Sequence, residues 1–268
     1  MEARVPKNLL QLLNENRRPF APIESRIVAK DKTATIYLYD PIVGDRATAE
    51  WWGGVCPQDF VPAVRALDAN EITIYTNCPG GDVFAAEAMC QALREHPAKV
   101  TMQIEGYAAS AATAIACACD EVVMTAASKY MIHKTWTFAM GNDDDMMAAV
   151  ELLRKCDQTM YDEYVRRTGN TLEQVSAWCA AETWFTAEDA VKFGFADSVI
   201  AAPTTVATAR AHQKWNLSAY KNAPATAEEP APAPAPAPAT PSPAPSASED
   251  HRARQQQRLS MLTRLQIS

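Results

Sequence analysis

The sequence predicts an α/β fold, and two observations carry that prediction. Short β-rich runs at 34–39, 72–77, 100–105 and 121–124 alternate with stretches of helical periodicity. Hydrophobic residues make up 48% of the 268 positions, enough for a full core, yet no run approaches the roughly 18 apolar residues of a membrane span. Strands joined through helices are expected to cross over in the right-handed sense, which stacks the helices against a mostly parallel sheet.

The elements follow in chain order. Leu9, Leu10, Leu12 and Leu13 form the stripe of a short amphipathic helix, and residues 1–24 read as an N-terminal extension to a domain at 25–222. Residues 82–96 place Val83, Ala86, Cys90 and Leu93 at helical spacing and stop at Pro97. From Gly106 to Cys119 nearly every residue is small and apolar, which predicts a helix buried on almost all sides. Asn142 followed by three Asp opens a long helix reaching Thr168, acids being favourable at a helix N-terminus. Residues 171–174 have capping-box spacing, and Thr186 opens a further helical run that ends near Gly194.

The C-terminal part separates by composition. Residues 223–250 are dominated by Pro, Ala, Ser and Thr, with Pro alternating with Ala over 230–238, and this favours an extended, semi-stiff polyproline spacer. Residues 251–268 carry four Arg and no acid, with Leu259, Leu262 and Leu265 at helical spacing. A docking helix and a disordered soluble end both fit that segment.

Composition also limits function. A formal charge of −7 argues against a general nucleic-acid binder. The first residues lack the apolar run of a secretory signal, so a cytoplasmic location is expected and the seven scattered Cys are expected to be buried thiols. Four dispersed His offer no ligand spacing, so neither a metal nor another cofactor is expected.

Two segments carry the chemistry. Cys78-Pro79-Gly80-Gly81-Asp82 lies between a strand and a helix, where paired glycines leave backbone N–H groups open to an anion or a polarised carbonyl. Ser110 follows Gly106 among small neighbours that let a substrate chain approach closely. It reads either as a helix cap or as a nucleophile with the Ala111 N–H beside its oxyanion. A serine nucleophile needs a base, and His133, at the end of the next apolar run, is the best placed of the four His. Asp143, Asp144 and Asp145 suit helix capping, whereas Glu182 precedes Trp184 and Phe185 at a helix boundary; spacing alone does not choose the acid.

Taken together, Pro79-Gly80-Gly81, Gly106-Tyr107-Ala108-Ala109-Ser110, Met131-Ile132-His133 and the run 186–191 with Gly194 and Asp197 resemble the Clp-type serine peptidases, in that family's order over 33–200. The resemblance implies the superhelical α/β fold shared with crotonases. It also implies a protruding handle helix at 142–168, catalytic Ser110, His133 and Glu182, and an oxyanion hole of the Gly80 and Ala111 amides. Residues Gly81, Asp82 and Val83 are expected to bind the substrate as an added strand. Glu182 stands where the family usually has Asp, Ala111 where it usually has Met, and Lys134-Thr135 where housekeeping members usually have Gln-Pro. With Trp51-Trp52-Gly53-Gly54 and the low-complexity tail, these departures resemble the head-maturation proteases of tailed phages, which cut scaffold or capsid precursors inside a procapsid. The resemblance further implies protein substrates and self-association into rings. Three other readings stand beside it: a housekeeping proteolytic subunit driven by an unfoldase, a crotonase-fold acyl-CoA enzyme, and a non-catalytic assembly protein.

Overall fold

Alternation of buried and half-buried residues along Thr33–Leu38 and Glu71–Cys78 shows why these segments pair as strands: Ala34, Ile36, Leu38, Ile72 and Ile74 all turn to one face and are buried. The computed structural model describes residues 15–200, 215–217 and 220–224. By its contacts the chain divides into Met1–Pro224 and Ala225–Ser268. The expected helix at 9–13, most of the 223–250 spacer and the basic segment at 251–268 lie outside the described residues.

After a single 3-10 turn at Ile23–Arg26 the order is β1 (Ile27–Lys30), β2 (Thr33–Leu38), α1 (Arg46–Trp52), α2 (Pro57–Arg65), β3 (Glu71–Cys78), α3 (Val83–Glu95), β4 (Lys99–Ala109) and α4 (Ala111–Cys117). There follow β5 (Glu121–Thr125), β6 (Lys129–Ile132), α5 (Asp143–Thr168), α6 (Leu172–Ala181), β7 (Thr183–Thr186), α7 (Ala187–Lys192) and β8 (Ser198–Ile200). One sheet contains all eight strands in the order β1-β2-β3-β4-β5-β8, with β6 added on β4 and β7 on β6. Pairing is parallel except for β1 with β2 and β6 with β7. The fold class read from the sequence is thus the observed one.

Helix starts follow the sequence signals. Asp82, Asn142, Thr171 and Thr186 each accept a backbone N–H with their side chains, satisfying donors that a helix N-terminus leaves free. Asn142 and Asp145 form a reciprocal capping box, and Gly169 ends α5 in the left-handed conformation.

Residues 106–119 depart from expectation. The predicted continuous helix begins only at Ala111, because Tyr107, Ala108 and Ala109 extend β4 and pair with Lys129, Tyr130 and Met131 of β6. Cross-strand pairing inside the sheet outweighs the helix propensity of two alanines, which is small per residue. Residues 15–24, expected as an extension, pack on the domain: Arg18 N–H donates to Trp52 O, and Asn16 exchanges hydrogen bonds with Asn216.

Beside β6 and β7 the core is aromatic. Phe195, fully buried, packs its ring within 6 Å of Tyr130, Tyr164, Trp178 and Phe185. It therefore ties α5 and α6 to the strand pair. Phe195→Ala is expected to cost about 3–5 kcal/mol, read as a Tm lower by roughly 10 °C; a decrease of under about 3 °C would show that the cluster closes without it.

Candidate active site

Strand register builds the site. In the β3–β4 pairing Cys78 lies opposite Ala108, in β4–β6 Ala109 lies opposite Met131, and in β6–β7 Ile132 lies opposite Thr183. One step beyond these pairs come Pro79-Gly80, Ser110, His133 and Glu182, in a row across four adjacent strand ends. The open end of a sheet, where strands release their chains, is where α/β folds assemble ligand sites.

Ser110 joins β4 to α4 at φ 56° and ψ −127°, a conformation that side chains rarely adopt. It stands in the N-cap position, yet its hydroxyl makes no capping bond. Instead Oγ lies 2.7 Å from His133 Nε2. Of the two readings of this hydroxyl, cap or nucleophile, the geometry favours the second. The backbone is fixed from three directions. Ser110 N–H donates to Met131 O at 2.9 Å, and Thr113 donates to Ser110 O through both N–H and Oγ1. Tyr164 of α5 then bonds Thr113 Oγ1 at 2.6 Å.

Burial lowers the affinity of His133 for a proton, while the charges of Glu182 and Asp157 act in the opposite sense. The imidazole is accordingly held neutral at neutral pH, the form a general base requires. Its ring is met edge-on by Tyr220, with centroids 5.2 Å apart.

Two expected roles differ in this conformation. Gly80 N–H donates to Cys78 Sγ at 3.4 Å, so it faces the strand and away from Ser110. The opposite edge of that peptide, Pro79 O, accepts the Tyr220 hydroxyl at 2.6 Å. Glu182 lies at the C-cap of α6 in the left-handed conformation, and its Oε1 accepts Asn222 N–H at 2.5 Å. Ala111 N–H, the first amide of α4, keeps no hydrogen-bond partner among the described residues.

The strand edge is shorter than expected. Gly80 O and Asp82 N–H both bond Ile42, and Val83 is already helical, its entry capped by Asp82. Only the polar groups of Gly81 remain on the open side, since successive residues of an extended segment point opposite ways. Gly81 itself is obligatory, because a Cβ there would lie 1.9 Å from Ile42 O. Beside it runs a cleft of about 260 Å³ lined by Ser110, His133, Phe84, Trp136, Leu152 and Tyr220, among others.

Three residues at the site were not among the sequence candidates. Asp157 of α5 is buried and accepts Thr135 N–H at 2.7 Å and Thr135 Oγ1 at 2.8 Å, which fixes the chain just after His133. Its signal was an acid on the otherwise apolar stripe Val150, Leu153, Met160. Tyr220 and Asn222 follow the last periodic element, and nothing in their spacing marks them. Among the described residues no group of His, Cys, Asp and Glu could hold a metal ion, and no helix is long and apolar enough to cross a membrane.

Comparison with known proteins places these observations in a family. The Clp protease profile matches residues 56–203. ATP-dependent Clp protease proteolytic subunit 3 of Rhodococcus jostii is 27% identical over 151 residues, 56% of this chain and 75% of that protein. The ATP-dependent Clp protease proteolytic subunit of Streptococcus gordonii is 32% identical over 143 residues, 50% of this chain and 73% of that protein. The solved structure of a point mutant of ClpP1 from Listeria monocytogenes superposes with a TM-score of 0.53 at 19% identity, covering 67% of this chain and 93% of that one, a likeness of fold. Since the matched span holds Ser110, His133 and Glu182 on their neighbouring strand ends, the chain belongs to the Clp protease family and is a ClpP-like serine-type endopeptidase.

Proposed function

We propose that this chain hydrolyses polypeptides through an acyl-enzyme formed on Ser110, a reading carried by the 2.7 Å contact between Ser110 Oγ and His133 Nε2 in an open cleft. Ser110 Oγ attacks the scissile carbonyl as its proton passes to His133 Nε2. The tetrahedral oxyanion takes Ala111 N–H, and Gly80 N–H once the Pro79–Gly80 peptide has turned. His133 returns the proton to the leaving amine, then deprotonates the water that releases the acyl group. Glu182 is the acid for Nδ1 by its place in the row, one step beyond the Ile132–Thr183 pair. The polar groups of Gly81 take the main chain of the substrate, and Phe84, Trp136 and Leu152 favour an apolar side chain beside the scissile bond. No cofactor takes part in these steps.

Ser110→Ala is expected to abolish both peptide hydrolysis and labelling by a fluorophosphonate, and His133→Ala to do the same, with the double variant scarcely worse than either. Glu182→Gln is expected to reduce kcat/KM by less than the loss of Ser110, since it removes only orientation of the base. Hydrolysis that persists in Ser110→Ala, purified free of host peptidases, rejects the serine mechanism. Acyl-CoA turnover would indicate the crotonase chemistry instead, and a folded chain without labelling would indicate an assembly protein.

Self-association into rings belongs to the same proposal. Only the C-terminal half of α5 is packed, at Asp157, Met160 and Tyr164, while Met147, Val150 and Leu152 stay exposed along with Trp136, Phe138 and Met140. So much apolar surface on one projecting element needs a partner copy. Light scattering of the full chain is expected to give a mass several times 29.3 kDa; the mass of one chain at micromolar concentration excludes rings.

For the biological setting we propose head maturation of a tailed phage, supported by the proline-alternating spacer and basic end that follow the peptidase domain at 25–222. The four Arg and the leucine stripe of residues 251–268 suit an acidic scaffold or capsid protein as partner. A second reading, a cytoplasmic proteolytic subunit fed by an unfoldase, is supported by the names of the curated relatives. Truncation after Pro224 is expected to leave small-peptide hydrolysis unchanged and to lower cleavage of a coexpressed capsid precursor. Equal precursor cleavage, together with degradation of folded substrates only when an unfoldase is added, favours the second reading.

A further inference from the structure

The segment at 220–224 lies across the row of strand ends and touches all four of its members. Tyr220 donates its hydroxyl to Pro79 O, sets its ring edge-on to His133 and packs against the Trp184 ring at 5.9 Å. A hydrogen bond with Ser110 acts on the same phenol, against the burial that raises its pKa. Asn222 N–H occupies Glu182 Oε1, and its side-chain amide donates to Ala181 O and Glu182 O at 2.8 and 3.2 Å.

The geometry of one peptide unit gives these contacts a consequence. The chain has no cis peptide among the described residues, so the Pro79 carbonyl and the Gly80 N–H point in opposite directions from their shared bond. With Pro79 O turned to Tyr220, Gly80 N–H must point at Cys78 Sγ, and it does. The oxyanion hole is thereby missing one donor. Sulfur is a poor exchange for that amide: burial pushes the Cys78 thiol up to about 12, so it stays a neutral, weak acceptor. Turning the peptide reverses φ at residue 80, now +90°, and glycine tolerates either sign. The present orientation therefore depends on the Tyr220 hydroxyl more than on any preference of the loop.

We propose that Tyr220–Pro224 is a built-in latch that keeps the active site incompetent. Tyr220 holds the Pro79–Gly80 peptide with its carbonyl toward Ser110, and Asn222 holds the Glu182 carboxylate away from His133. Displacement of the latch, by an incoming substrate chain or by assembly, frees the Gly80 amide for the oxyanion and the carboxylate for the imidazole. Tyr220 is in this sense a positioning residue that acts through residue 80. The latch rests on the serine peptidase reading and adds its regulation.

The test uses the full chain and its Tyr220→Phe, Asn222→Ala and doubly substituted forms. Tyr220→Phe keeps the ring on His133 and removes only the hydroxyl. Two rates are followed: labelling by a fluorophosphonate, and cleavage by trypsin after Lys221, which lies inside the latch and is exposed. Each single substitution is expected to raise labelling about five-fold, the shift that one hydrogen bond confers. The double form is expected to exceed both, with faster cleavage after Lys221 in step. Titration of the His133 imidazole supplies a third readout: Asn222→Ala keeps the backbone N–H on Glu182 Oε1 but removes the two side-chain anchors, so the segment leaves the carboxylate more often and the His133 pKa rises. Labelling that is unchanged or slower in the variants, while the wild-type chain is labelled, overturns the latch and leaves the peptidase reading intact. Absence of labelling in every form removes the peptidase reading and the latch with it.

Discussion

The backbone of Ser110 is the constraint around which this domain is built. A side chain at φ 56° and ψ −127° costs on the order of 1–3 kcal/mol, and such a residue persists only where its surroundings leave it no alternative. Here those surroundings span the whole domain. The β6 strand takes its N–H, Thr113 of the following helix takes its carbonyl, and α5 reinforces Thr113 through Tyr164. From the other side Gly80 packs so closely that a Cβ would sit 2.7 Å from Ser110 Cβ. The turn from strand to helix thrusts the hydroxyl out of the helix-capping role and toward His133, as a nucleophile elbow does.

Precision of the row then follows from pairing alone. A slip of one residue in any of the three ladders would carry a side chain to the opposite face, so the hydrophobic pattern that fixes register also fixes the geometry of the row. Tyr130, Met131 and Ile132 are all fully buried and leave β6 no freedom to shift. Four non-glycine residues among those described have positive φ. Asp31 and Lys32 make the two-residue turn between β1 and β2, and the others are Ser110 and Glu182. Among the described residues, positive φ outside glycine is thus confined to one tight hairpin and to the site.

The parts that could be read from sequence are those governed by local rules. The alternation along β2 and β3 and the side-chain caps at Asp82, Asn142, Thr171 and Thr186 depend on neighbours within four residues, and the structure has them within a residue or two of expectation. What escaped depends on distant partners. Ala108 and Ala109 are strand because β6 lies beside them, a fact that no window around Gly106 contains. Ser110 and His133 could be named as a pair because chemistry demands a base for the nucleophile. The contacts of Tyr220 and Asn222 could not, since they join residues 40 to 141 positions apart through neither periodicity nor a motif.

Glu182 illustrates how one methylene changes what an acid at a given place in the fold can do. Set at a helix C-cap with φ 52° and ψ 76°, it has its backbone orientation fixed by α6 and β7, so only the side chain can choose a partner. A shorter aspartate has one rotatable bond fewer and a correspondingly smaller set of reachable acceptor positions. The longer glutamate reaches Asn222 N–H without moving the backbone, while its charge still acts on His133 alongside that of Asp157. Under the proposed latch the same side chain would serve two partners in turn, an exchange that requires only rotamer changes, which are fast compared with any rearrangement of the sheet. An acid with that reach fits the proposed turning of the Pro79–Gly80 peptide, because both halves of such a change would occur at strand ends while the ladders behind them stay fixed.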